Sequence, residues 1–197
     1  MIKKTLLIGL AALLTNSCSI LPDKVTVDNT KDDKTYLVLF NSFPVVKNVS
    51  KLIGFSGNYG HIEVVQDGMA YGCRPPVCSE ITLDELKEHY EGIQYTMIEV
   101  DHKGDSWKAI QWFRKNLEGK EYDLLYNNCT DAVVKMYDAS GDTTRRVFPV
   151  KVDEEYNSNL ALRTYLKLID MPKPDRKEIY LPDQFERIGE VVGKGRF

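Results

Sequence analysis

From Thr35 to Phe40 the chain runs Thr-Tyr-Leu-Val-Leu-Phe without a charge, the pattern of a strand buried on both faces. His61 to Gln66 (HIEVVQ) reads as a second strand. It is followed by Asp67-Gly68, a pair that closes tight hairpins, so Met69 to Cys73 is expected to return beside it. Thr82 with Glu85 three residues on spells a capping box and predicts a short helix over Leu83 to Tyr90. Gln94 to Val100 (QYTMIEV) is a third strand signal. A helix is then expected from Asp105-Ser106, with Trp107, Ile110, Phe113 and Leu117 on one face and Gly119 as its stop.

Another helical period begins at Cys129, with Val133, Met136 and Tyr137 at i+4, i+7 and i+8, and ends near Gly141. The charged stretch from Gly141 to Tyr156 reads as a loop or insertion. A later helix is expected from about Asn159 to Asp170, broken by Pro172 and Pro174. Strands in hairpins interleaved with helices predict an α+β domain, a small antiparallel sheet packed against helices. Leu181-Pro182-Asp183 opens a short helix in the tail, to which the pattern assigns no role.

The N-terminus follows a different logic. Lys3 and Lys4 precede an apolar run from Leu6 to Leu14, the layout of an export signal and too short for a permanent membrane span. Thr15-Asn16-Ser17-Cys18 follows and resembles the lipobox of bacterial lipoproteins. Ser17 fits the small residue before the cysteine, whereas Leu14 stands one place early and Asn16 departs from the pattern. The resemblance implies a lipid on Cys18 as the first mature residue and, with Ser19 behind it, an anchor on the periplasmic face of the outer membrane. Residues 1–18 are thus expected as signal peptide, the polar and charged stretch 19–34 as a tether, and 35–197 as one domain. A net charge of -3 provides no basic field, which sets nucleic acid aside as a partner. A monomer is expected.

Export permits disulfides. Beyond Cys18 the chain holds Cys73, Cys78 and Cys129. Cys73 and Cys78 flank Arg-Pro-Pro-Val, a spacing that can close a small loop and leave Cys129 as the odd thiol; the alternative is that all three are reduced. No ligand spacing for a metal is present around these cysteines or the three histidines, and no cofactor motif is found.

Cys129 follows Asn127-Asn128, good N-cap residues, at the start of its helix. There the helix dipole and unpaired N–H groups stabilise a thiolate and can hold an oxyanion, to which the Asn128 amide would contribute. The same cysteine also shares an apolar stripe with Val133 and Met136, so taken by itself it reads first as a packing residue. A thiol nucleophile needs a base. His89 on an acidic helix and His102 in a turn-like Asp-His-Lys-Gly segment read as surface residues, whereas His61 opens an apolar strand behind Gly54, Gly57 and Gly60.

The stretches YGHIEVVQDG and YDLLYNNCTDAV, in that order, resemble the circularly permuted papain-like families: the permuted NlpC-type hydrolases, the lecithin:retinol acyltransferase group and related envelope domains. In these a Gly-His opens a strand and an Asn-Cys opens a later helix. The resemblance covers about half the chain, from Tyr36 to Ser140. It implies a permuted papain-like fold with Cys129 as nucleophile and His61 as general base, acting through an acyl-enzyme on an amide or ester. The third member in these families stands on the strand after the His strand, where this chain offers Tyr71 and Cys73; Glu63, on the His61 face by alternation, is a second candidate. The substrates implied are a peptidoglycan peptide or another acylated compound. Three functions stay open on the sequence: an envelope amidase, a lipid acyl hydrolase or acyltransferase, and an inactive lipid-anchored binding protein.

Overall fold

The computed structural model describes residues 34–41, 44–101, 103–123, 127–143, 147–170, 173 and 175–197. The expected signal, the lipobox Cys18 and the tether up to residue 33 lie outside the described residues, as do His102 and Tyr126.

Six strands form one antiparallel sheet: β1 (Thr35–Asn41), β2 (Tyr59–Gln66), β3 (Met69–Arg74), β4 (Val77–Thr82), β5 (Gln94–Val100) and β8 (Glu190–Arg196), in the order β4-β3-β2-β1-β5-β8. A separate pair joins β6 (Val150–Lys151) to β7 (Glu178–Ile179). The helices are α1 (Pro44–Leu52), α2 (Leu83–His89), α3 (Ser106–Asn116), α4 (Cys129–Ser140), α5 (Val152–Ser158) and α6 (Leu160–Leu168), with a 3-10 turn over Pro182–Arg187. The molecule is therefore α+β, with helices on a six-stranded antiparallel sheet. Among the described residues no helix is long and apolar enough to cross a membrane.

The unbroken apolar run of β1 has a direct cause: it is a central strand covered on both sides. Leu37 and Leu39 join Ile62, Val64, Ile98 and the inner faces of α3 and α4 in one core. Tyr36, Val38 and Phe40 face the other way and meet Leu83 and Leu86 of α2, Tyr90 and Met97 in a second. The hairpin between β2 and β3 turns on Asp67 and Gly68, both at positive φ (49° and 74°), the geometry of a two-residue turn matched to strand twist. Thr82 caps α2 with the reciprocal Glu85 bond, and Asp105 caps α3 through the Lys108 N–H.

Three expectations are corrected. Trp107, placed by periodicity on the buried face of α3, is 57% exposed, with the Arg114 guanidinium 5.8 Å from its ring centre; Ile110, Phe113 and Leu117 are buried as expected, with Ala109 beside them. First-turn residues overhang the packed face, so the apolar stripe starts one turn later. The charged stretch after Gly141 carries part of a helix, α5, whose first turn holds Asp153, Glu154 and Glu155 where the helix dipole favours them. The tail also contributes a strand: β8 completes the sheet against β5.

Candidate active site

Cys129 occupies the first turn of α4. Asn128 is its N-cap, extended in backbone (φ -93°, ψ 176°), and its Oδ1 accepts from the Asp131 N–H at 2.9 Å and from the Thr130 hydroxyl at 2.7 Å. The amide oxygen is thereby committed to the helix, so only the amide nitrogen has the polarity an oxyanion needs. The first-turn N–H groups of a helix have no partner within it, which makes the backbone around Cys129 the better donor set. The approach to this turn is held by a bridge between Asp123 and Asn127, and by the Cys78 sulfur 3.9 Å from the Asn127 carbonyl oxygen. Cys78 belongs to a disulfide with Cys73, its register partner across β3 and β4; Cys129 is free and buried.

The structure brings His61 to this cysteine. His61 leaves β2 with its ring near enough to the Cys129 side chain to feel its charge, and Nε2 lies 2.7 Å from Glu63 Oε1. Burial disfavours the charged ring and is the largest single influence. The negative charge and hydrogen bond of Cys129, then those of Glu63, together outweigh it and hold the His61 pKa well above the ordinary imidazole value. The ring is thus favoured in its protonated form, with Glu63 as its carboxylate partner.

Glu63 takes the orienting position that sequence reasoning gave first to Tyr71. Tyr71 and Glu63 lie on opposite faces of the sheet: Tyr71 is paired with Val64 and packs edge-on against Phe113 of α3, with ring centres 5.9 Å apart. Cys73, the other residue offered by that strand, is in the disulfide. His89 closes α2 with its ring 4.7 Å from that of Tyr90.

Sequence reasoning missed Arg74. Its Nε lies 3.1 Å from Glu63 Oε1 and its Nη2 lies 3.4 Å from Oε2, while Nη2 also donates to the Ser79 carbonyl at 2.9 Å. Cys129, His61, Glu63 and Arg74 thus form a row, exposed by only 5%, 5%, 0% and 4%. Buried charges persist when paired, and here Glu63 faces the His61 ring on one side and the Arg74 guanidinium on the other. Gly72 makes room for the row: a Cβ there would stand 1.8 Å from Glu63 Oε2. Tyr90 covers the ring from α2, its own ring centre 5.4 Å from that of His61. Burial, with Glu63 and Cys129 adding to it, drives the Tyr90 phenol pKa upward; burial and then Cys129 do the same for Tyr122, so both phenols stay neutral beside the pair.

The C-terminal segment pins the other side of the α4 start. Arg176 makes two bonds to the buried Asp131 carboxylate, at 2.6 and 3.1 Å, and the Thr130 hydroxyl oxygen, bonded to Asn128 Oδ1, also lies 3.1 Å from the Tyr180 carbonyl oxygen.

No protein-family model and no curated protein matches the chain. Among solved structures, the crystal structure of metalloprotein yiiX from Escherichia coli O157:H7, of DUF1105, superposes with a TM-score of 0.63 at 18% identity, covering 85% of this chain and 99% of that one. The chain shares that fold. At such an identity the likeness speaks to architecture and not to chemistry.

Proposed function

We propose that the protein is a cysteine hydrolase on a circularly permuted papain-like scaffold, cleaving an amide bond in a cell-wall peptide or a similar substrate. The observation that carries the reading is the buried row Cys129–His61–Glu63, in which a free thiol at a helix start and a carboxylate share one imidazole. The Cys129 sulfur attacks the amide carbonyl carbon, and the oxygen takes up negative charge against the first-turn N–H groups of α4. His61 passes its proton to the leaving amine, giving a thioester. Water then loses a proton to His61 and attacks the thioester; the C–S bond breaks, the carboxylic acid departs, and the sulfur leaves as the anion beside protonated His61, the state from which the cycle began. Glu63 keeps the ring oriented and stabilises its charged form.

The structural neighbour yiiX is named a metalloprotein. Among the described residues of this chain no three His, Cys, Asp or Glu side chains gather as a ligand set, and both oxygens of Glu63 are already engaged, one side facing a guanidinium. No step is routed through a metal. The expected lipid on Cys18 would hold the domain at the envelope, where such peptides occur.

The test is alkylation of Cys129 in the full chain by iodoacetamide, followed by mass spectrometry, in the native protein and in His61→Ala. Rapid labelling at and below neutral pH that the substitution suppresses is the expected result. A thiol that reacts only after denaturation would sink the proposal and leave a binding protein. Assays on peptidoglycan fragments and on lipid esters then separate amidase from acyl-lipid chemistry.

A further inference from the structure

The six-stranded sheet treats its two edges differently. Beyond β4 the chain covers its own edge: the Cys78 N–H donates to the Lys120 carbonyl and the Gly119 N–H to the Cys78 carbonyl, both at 2.8 Å. At the other end β8 is the last strand in the order, and among the described residues no strand pairs with its outer side. Phe197, just past β8, turns its backbone toward β5: its N–H donates to the Ile93 carbonyl at 3.2 Å and its carbonyl accepts from the Gly92 N–H at 2.7 Å. Hydrogen-bonding direction alternates along an antiparallel strand, so Gly195 faces β5 as Phe197 does, while Lys194 and Arg196 present N–H and C=O outward. Those four groups form a template for one more strand.

The side chains of the same two residues set a charge pattern. Lys194 stands opposite Thr96 and Arg196 opposite Gln94, so both project to one face of the sheet. The row His61, Phe40, Tyr95 and Gly195 belongs to the other face, which separates this edge from the Cys129–His61 pair. A groove of about 590 Å³ opens beside the two cations, lined also by Gln94, Thr96 and Lys47 of α1. None of the three cations pairs with a carboxylate among the described residues, and the carboxylate on the groove wall, Glu186, is engaged by the Tyr59 hydroxyl at 3.0 Å. The wall is thus positive in a chain whose net charge is -3. Two copies of β8 paired about Gly195 would set each Lys194 against an Arg196, like charge on like. An acidic strand meets the opposite situation.

We propose that β8 docks an extended segment of another protein, acidic at alternate positions, as one further strand of the sheet. The backbone of the segment pairs with Lys194 and Arg196, and its acidic side chains, two residues apart, fall opposite those two cations beside the groove. Main-chain bonds supply affinity whatever the sequence, and the charge pairs select register and partner. This surface is independent of the hydrolase reading, since neither Cys129 nor His61 lines the groove.

The test is an NMR titration of the ¹⁵N-labelled full chain in detergent with acetyl-Thr-Glu-Thr-Glu-Thr-amide, its Gln counterpart and the isomer acetyl-Thr-Thr-Glu-Glu-Thr-amide. The alternating Glu peptide is expected to shift the amides of Lys194, Gly195 and Arg196 and to slow hydrogen exchange at Lys194 and Arg196. The Gln peptide should bind about fivefold more weakly, as the loss of two exposed ion pairs of modest worth predicts, and the isomer, which can turn a single Glu to the cations, should fall between them. Lys194→Gln with Arg196→Gln, both at exposed positions, should weaken the Glu peptide by the same factor, with the rest of the spectrum unchanged. Equal affinity for the Glu and Gln peptides, no binding of either, or full affinity in the double variant would overturn the acidic partner and leave the cations as guards of a bare edge. Binding that leaves Lys194 and Arg196 exchanging as before would overturn strand addition. Shifts of the same amides that grow with protein concentration and need no peptide would overturn the foreign segment in favour of a second copy.

Discussion

His61 Nε2 lies 2.7 Å from Glu63 Oε1, and the two side chains leave the same strand two residues apart. Strand alternation places both on one face, so the imidazole and the carboxylate that meets it come from a single rigid element. No loop has to order for them to meet. Cys129 arrives separately, at the start of α4.

Replacing Glu63 by Gln tests the electrostatic part. The carboxylate and the Cys129 thiolate both raise the His61 pKa against the opposing effect of burial. Removing the carboxylate lowers that pKa, so the ring gives up its proton at a lower pH than in the native protein. Ring ¹⁵N NMR of labelled histidine is expected to show the His61 titration moved downward, and the alkaline fall in any turnover should move with it. Arg74 is left buried without its anion, so the melting transition should also fall, by about 3 kcal/mol. An unmoved His61 titration would remove Glu63 from the working set.

Gly72→Ala is a sharper perturbation of the same contact. The new Cβ would fall 1.8 Å from Glu63 Oε2, and that carboxylate cannot swing aside freely because His61 and Arg74 hold it. The variant is expected to fold with a loss of roughly 1–3 kcal/mol, the usual cost of overpacking, and to show a lowered His61 titration although no charged residue was changed. A native titration would mean that the strand backbone shifts instead and carries Glu63 with it.

Much of this was legible in the sequence because the signals are local. Asp67-Gly68, the Thr82–Glu85 box and the caps Asp105 and Asn128 each act within four residues, and each fixed an element that carries or borders the site. What escaped depends on distant partners. β8 (EVVGKGR) alternates poorly and contains two glycines, and it becomes a strand through pairing with β5, far away in sequence. Arg74 was within reach of a longer argument. A hairpin turning on Asp67-Gly68 pairs Gln66 with Met69 and Val64 with Tyr71; continuing the count sets Gly72 opposite Glu63 and Arg74 opposite His61. The same count sends Tyr71 to the Val64 face, away from the imidazole. Following the register further would have preferred Glu63 and found its guanidinium.

The Cys73–Cys78 disulfide spans a sequence separation of 5. For so short a loop the chain-entropy contribution is roughly 2 kcal/mol. Its larger effect is expected at the site, since Cys78 borders Asn127 and Cys73 precedes Arg74. The Cys73→Ala, Cys78→Ala double variant should melt at a lower temperature and show slower Cys129 alkylation under identical conditions. Lower stability with unchanged alkylation would confine the bridge to the hairpin.

Arg74 separates charge from shape. Its guanidinium spans Glu63 and the Ser79 carbonyl together, a fork that one lysine ammonium cannot reproduce. Arg74→Lys keeps the positive charge and is expected to lose about 1–2 kcal/mol with little movement of the His61 titration. Arg74→Met removes the charge, leaves Glu63 facing only the imidazole and takes away a cation that opposes the imidazolium. Its loss should be nearer 3 kcal/mol, and the His61 titration should move upward, opposite in sign to Glu63→Gln. If Arg74 served packing only, both variants would melt earlier and leave the titration where it was. The opposed shifts of the two substitutions, read on one histidine resonance, are the signature of a single coupled row.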